Sequence, residues 1–136
     1  MLSVELARAL RRAGLVWHPA NGDRFHLPDR DLDDQVFVLS DMVIERLQPP
    51  SGGELLAFNG TTEWALDSLE ADEAVWLPRE EQLRAALGEE FVSLELLPGE
   101  QPGYAVTTRS GEATSRCVDV DVESAYARAL LALRQR

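Results

Sequence analysis

At 136 residues, 45% hydrophobic and 27% charged, the chain is long enough to bury a core and too apolar to stay disordered, so one folded, water-soluble domain over residues 1–136 is expected. Its formal charge of −11 repels phosphate backbones at long range and excludes nucleic acid from the expected partners. All thirteen cations are arginine and none is lysine, which rules out a lysine Schiff base and the lysine of a phosphate loop.

The first element is an amphipathic helix. Leu2, Leu6, Ala9, Leu10 and Ala13 recur at helical spacing, Ser3 can cap the start, and Gly14 stands where a helix stops. Its polar face carries Arg8, Arg11 and Arg12, read as a solvated surface. Leu15 to Trp17, the turn-forming run Pro19 to Asp23, and Arg24 to Leu27 then read as a β-hairpin with an odd-length loop that puts Trp17 and Phe25 on one buried face. Further strands are expected over Val36 to Leu39, Met42 to Leu47 and Glu54 to Phe58, which makes this half an antiparallel meander.

After Asn59 and Gly60, Thr61 or Thr62 can cap a short helix that points Ala65, Leu66 and Leu69 inward and ends near Glu70 to Glu73. Ala74 to Leu77 reads as a brief buried strand. Pro78 fits the first position of a helix anchored by Leu83 and Leu87 and stopped by Gly88. Three antiparallel strands follow, over Phe91 to Leu97, Tyr104 to Thr108 and Ser115 to Val120, separated by turns at Pro98 to Gly103 and at Gly111. The last element is a helix capped by Asp121, with Val122, Ala125, Tyr126, Ala129, Leu130 and Leu133 as its apolar stripe. Together these predict an α+β fold in which an antiparallel meander or sheet packs with about four helices.

No stretch of about 18 apolar residues exists and no basic, apolar, small-residue leader opens the chain. No membrane span and no export signal are therefore expected. The lone Cys117 has no internal disulfide partner, and a reducing, cytoplasmic setting fits it best.

Candidate chemistry is scattered. Asp29, Asp31, Asp33 and Asp34 alternate as hard-cation ligands do, but an EF-hand loop would place glycine where Asp34 stands and glutamate where Ser40 stands. They read as a solvated acidic turn. His18 and His26 would meet on the solvent side of the hairpin if Trp17 faces Phe25, yet no third or fourth ligand stands at zinc spacing from them. No nucleophile elbow is present. Asn59, Thr61, Thr62, Glu63 and Trp64 form the densest polar and special-residue cluster; Glu63, or Asp41, could act as a general base there, and helix capping explains the same residues. Asp119, Asp121 and Glu123 suit a helix N-terminus, while Trp64 and Trp76 suit a core.

The runs Gly22-Asp23-Arg24-Phe25, Val36 to Met42, Phe58 to Ser68, and Trp76-Leu77-Pro78-Arg79-Glu80 resemble short actinobacterial proteins labelled pilus assembly protein CpaE-like. The resemblance covers most of the chain and implies a pilus-related role without assigning chemistry to any position. True CpaE proteins are larger and combine a receiver-like region with an ATPase-like domain, and this chain departs from that pattern, having neither a phosphate loop nor a lysine to build one. The reading is a cytoplasmic accessory or adaptor domain that binds a protein partner and needs no cofactor; a second copy of the chain is one such partner. The alternative is a small metal-assisted or acid/base hydrolase built on Glu63, Asp41 and the aspartate run.

Overall fold

A computed structural model describes residues 1–27, 36–39, 43–47, 55–58, 68–70 and 74–135. In chain order the elements are α1 (Val4–Arg12), β1 (Arg24–His26), β2 (Val36–Val38), β3 (Val43–Leu47), β4 (Leu55–Phe58), β5 (Ser68–Glu70), β6 (Val75–Leu77), α2 (Glu80–Leu87), β7 (Phe91–Leu97), β8 (Gly103–Ser110), β9 (Ala113–Asp119) and α3 (Val122–Arg134). Among the described residues every strand pairing is antiparallel, and the strands form three sheets ordered β2-β1-β6, β3-β4-β5 and β7-β8-β9. This is the expected α+β class, with three α-helices among the described residues where about four were expected. The chain divides into two compact units: Met1–Val16 with Pro78–Arg136, and Trp17–Leu77.

In the first unit α1 starts where Ser3 Oγ accepts the Leu6 N–H at 3.2 Å. It ends in a Schellman motif, with the Gly14 N–H bonded to the Arg11 carbonyl and the Leu15 N–H to the Leu10 carbonyl, both at 3.0 Å. That closure needs a left-handed residue, and Gly14 supplies it at φ 100°. Helix α2 begins two residues later than Pro78 alone implies. Arg79 is the cap, and its N–H is taken by the Gln82 side chain at 2.9 Å, which leaves the buried Pro78 just outside the helix.

Helix α3 packs on β8 and β9, and both α1 and α2 pack against it. Covered on several sides, it buries Ser124, Ala125, Tyr126, Ala127, Ala129 and Leu130, a wider surface than the single stripe its period implies. Its run of alanines permits this, because short side chains let neighbouring elements approach closely. On the helix-covered face of the sheet the register aligns Leu94, Val106 and Cys117. Phe91, on the same face, meets Tyr126 edge-on at 5.9 Å between ring centroids.

The second unit corrects the expected hairpin. Trp17 does face Phe25, with centroids 5.8 Å apart, but Leu15 to Trp17 forms no strand. β1 instead pairs with β2 and β6, and the register sets Phe37, Phe25 and Trp76 side by side. Trp17 lies over this row, stacked on Trp76 at 6.5 Å and 10°. Phe25, Leu27, Leu39 and Ala74 make the buried cluster, with Trp17 and Phe37 packed against it. A second correction concerns the helix expected to end near Glu70 to Glu73. Ser68–Glu70 is strand β5, with Leu69 opposite Leu56 of β4, and cross-strand pairing there replaces any helical turn. Residues 59–67 lie outside the described residues.

Candidate functional site

Asp23 is the most deeply buried carboxylate among the described residues, 2% exposed. Sequence places it at the end of the turn Pro19 to Asp23, where short polar side chains fold back on nearby backbone. Its Oδ2 accepts the Trp17 indole N–H at 2.9 Å and the Ala20 N–H at 3.0 Å. Gly22 at φ 91° lets its own N–H reach the Leu39 carbonyl at 2.7 Å, while the Leu39 N–H returns to the Asp23 carbonyl at 2.8 Å. The carboxylate thus fixes the tryptophan over the aromatic row and ties the turn to the residue after β2. It positions side chains. Sequence marked Asp23 as a turn residue but carried no signal that it would hold an indole six residues earlier.

The two histidines separate. His18 is exposed, whereas His26 is 6% exposed in the central strand β1. The expectation that both face solvent fails for His26 because its neighbours across the sheet, Val36 and Val75, share the face opposite the aromatic row, and that face is buried on the β6 side. Asp29, Asp31, Asp33, Asp34, Asp41, Asn59, Thr61, Thr62, Glu63 and Trp64 all lie outside the described residues. Among the described residues no three or more of His, Cys, Asp and Glu gather as a metal ion would need. Trp76 is half-buried, and its indole N–H is enclosed with no hydrogen-bond partner among the described residues.

In the first unit the carboxylates before α3 serve its N-terminus. Asp121 Oδ2 accepts both the Ser124 N–H and the Ser124 hydroxyl at 2.9 Å, and Oδ1 meets the Met1 ammonium at 3.0 Å. Burial raises the Asp121 carboxyl, but the ammonium and the Ser124 donors outweigh it and hold the group below the ordinary carboxylate range. Asp119 behaves alike: burial raises it, while the Arg128 guanidinium at 2.8 Å and the Asp121 N–H bring it down. Glu123 accepts the Leu2 N–H at 2.9 Å, which draws the start of the chain onto α3. Cys117, inside β9, has its thiol pushed up by burial, with Arg128 opposing.

The feature sequence reasoning missed is a set of uncovered apolar side chains on the two outer strands of this sheet. Val92 and Leu96 of β7 are 51% and 65% exposed, Val118 of β9 is 48% exposed, and Val120 just beyond it is 67% exposed. The signal was present in Phe91 to Leu97, where Val92, Leu94 and Leu96 alternate with Ser93 and Glu95. Alternation alone reads as a buried row. Helix α3 packs on β8 and β9, and the β7 end of that row stays exposed.

No family model, no curated protein and no solved structure matches the chain. Among the described residues no helix is long and apolar enough to cross a membrane.

Proposed function

We propose that the protein is a non-enzymatic binding module, an adaptor that recognises another protein through an outer strand, β9, of the β7-β8-β9 sheet. The observation that carries this reading is the exposure of Val118 on β9 and of Val120 just beyond it, with Val92 and Leu96 exposed separately on β7 at the opposite edge. Leu96 is aligned with Tyr104 and Asp119 on the face that α3 packs on, and Val118 with Ala105 and Glu95 on the other, so the two edges are separate patches. The one at β9, Val118 with Val120 just beyond it, is the surface proposed for the partner. The carboxylates described above are engaged in caps, ion pairs and a turn, which is what holding a binding surface in shape requires. A cytoplasmic, pilus-related accessory role is the setting proposed for it.

The test is capture from extract of the native cell at physiological salt, comparing the natural chain with a Val118→Asp, Val120→Asp variant. One saturable partner retained by the natural chain and lost by the variant supports the reading. Nothing retained above background, or equal retention by both, overturns it.

A further inference from the structure

Helices α1 and α3 lie side by side and run the same way. At their starts the Met1 ammonium meets Asp121 at 3.0 Å and the Leu2 N–H meets Glu123 at 2.9 Å; at their ends Arg134 Nη1 donates to the Ala13 carbonyl at 3.5 Å. Arginines collect at the shared C-terminal end. Arg8 and Arg12 stand one turn apart on the side of α1 turned from the buried Ala7 and Leu10, and both are exposed, as is Arg134. Arg79, Arg116 and Arg128 are each held by a carboxylate, of Glu81, Glu95 and Asp119, whereas among the described residues Arg8, Arg12 and Arg134 meet none. Arg11, beside them, is already engaged. Helix ends explain part of this pattern. Each C-terminus carries about half a negative charge, so the two together offset one guanidinium of the three. Glu5, in the first turn of α1, forms no ion pair with Arg8 among the described residues, and a cationic surplus remains. Val16, two residues past the glycine that closes α1, is 64% exposed and adds an apolar side chain at that end.

We propose that this shared end of α1 and α3 docks an acidic segment of another protein, with carboxylates one helical turn apart on Arg8 and Arg12 and an apolar side chain on Val16. Charge decides the occupant. A guanidinium presents a fork of donors that fits a carboxylate at two points, and the four residues from Arg8 to Arg12 rise about 6 Å, the spacing of glutamates on one face of a partner helix. The net charge of −11 does not oppose this locally. Residues 1–16 and 78–136 hold ten arginines against eleven acids, a net charge of −1, so residues 17–77 hold −10 of the −11. At physiological salt a charge is felt over about 8 Å, so a short acidic segment answers to the arginines it touches. A nucleic acid or an anionic membrane is an extended array of charge and meets the acidic half of the chain as well. The surface is separate from Val118 and Val120, which lie at the start of α3. The thirteen residues of that helix set the two ends about 18 Å apart, and the inference does not depend on the reading of the β9 edge.

Two-dimensional NMR titration of the full chain at about 0.15 M salt tests it. The probe is a synthetic helical peptide of about 16 residues built from alanine, leucine and glutamate, with its glutamates one turn apart; the control peptide carries glutamine at every glutamate. The acidic peptide should shift the backbone amides of α1, of Val16 and of the last turn of α3, with a dissociation constant of about 0.1–1 mM, and the control peptide should not. Arg8→Glu turns an attraction into a repulsion and should weaken binding about two- to thirty-fold. Arg109→Glu makes the same change in net charge at an exposed arginine of β8 and should leave binding unchanged, whereas Val16→Ser should weaken it. Circular dichroism shows that each variant folds. Equal binding of the two peptides overturns the proposal, as does an equal response to Arg8→Glu and Arg109→Glu, full binding by Val16→Ser, or no shift by about 5 mM peptide. A single-stranded oligonucleotide that displaces the peptide from the same amides at lower concentration overturns the choice of an acidic protein segment. Shifts that arise on concentrating the chain by itself and vanish in Arg8→Glu overturn it in favour of a second copy.

Discussion

Replacing Asp121 with alanine tests how the α3 layer is held. The carboxylate accepts two donors from Ser124 at 2.9 Å and meets the Met1 ammonium at 3.0 Å. Loss of an N-cap costs about 1 kcal/mol, within a range of about 0.5–2, and loss of a negative charge at a helix N-terminus adds about 0.3–1 kcal/mol. Exposed ion pairs add little. Asp121→Ala should therefore lose about 1–2 kcal/mol at pH 7, seen as a fall of roughly 0.5–1 M in the urea midpoint followed by helical circular dichroism. Asp121→Asn keeps an acceptor for the Ser124 N–H and should retain most of the cap. The pH dependence follows from the carboxyl lying below its ordinary value in the folded chain, where the reference is 3.8. Its contribution is complete above that reference and is lost as pH falls through the folded value. The natural chain should thus weaken steeply below about pH 4, and Asp121→Asn less steeply. An alanine variant as stable as the natural chain at pH 7, or an asparagine variant as damaged as alanine, would refute the capping argument.

Other substitutions probe the two units separately. Asp23→Ala strands the Trp17 indole and the Ala20 N–H and should destabilise the second unit by about 2–4 kcal/mol, read as an early loss of tryptophan fluorescence on urea titration; Asp23→Asn should cost less. Leu83→Ala removes a fully buried side chain from α2 and should cost about 2–5 kcal/mol by calorimetry. Because burial raises the Cys117 thiol and Arg128 opposes it, alkylation in the folded state should be slow at neutral pH and accelerate as pH rises through the thiol's titration. Arg128→Ala should slow that reaction further at a fixed pH.

How much of this was legible in the sequence depends on how local each signal is. Helices α1 and α3 were legible because Ser3, Gly14 and Asp121 act within a turn of themselves, and the structure uses all three as expected. The start of α2 was misplaced by two residues because Pro78 is equally content just outside a helix, and the deciding contact, Gln82 on the Arg79 N–H, is a side-chain choice. The contact of Trp17 with Phe25 was legible from the two aromatics. The partners of β1 were not, since Arg24 pairs with Val38 on one side and Leu77 on the other, and no short-range pattern ties those segments together. His26 follows from the same fact: a residue read as half of a hairpin faces water, and the same residue in a central strand does not.

The same distinction governs the binding surface. Alternation along Phe91 to Leu97 says that Val92, Leu94 and Leu96 share a preference for cover, but it does not say what supplies it. In the β7-β8-β9 sheet the cover comes from α3, which sits over β8 and β9, so the apolar row runs beyond the helix that shields its centre and leaves Val92 and Leu96 exposed at the edge. An edge strand with exposed apolar residues, one charge and that charge bound inward by Arg116 lacks the protection that usually keeps sheets apart. Either a partner completes that edge or the edge is a liability, and a chain of net charge −11 can carry such a liability only while mutual repulsion keeps copies apart. Salt decides between these cases: if screening strengthens one saturable contact the edge is an interface, and if it produces open-ended aggregation the edge is unprotected.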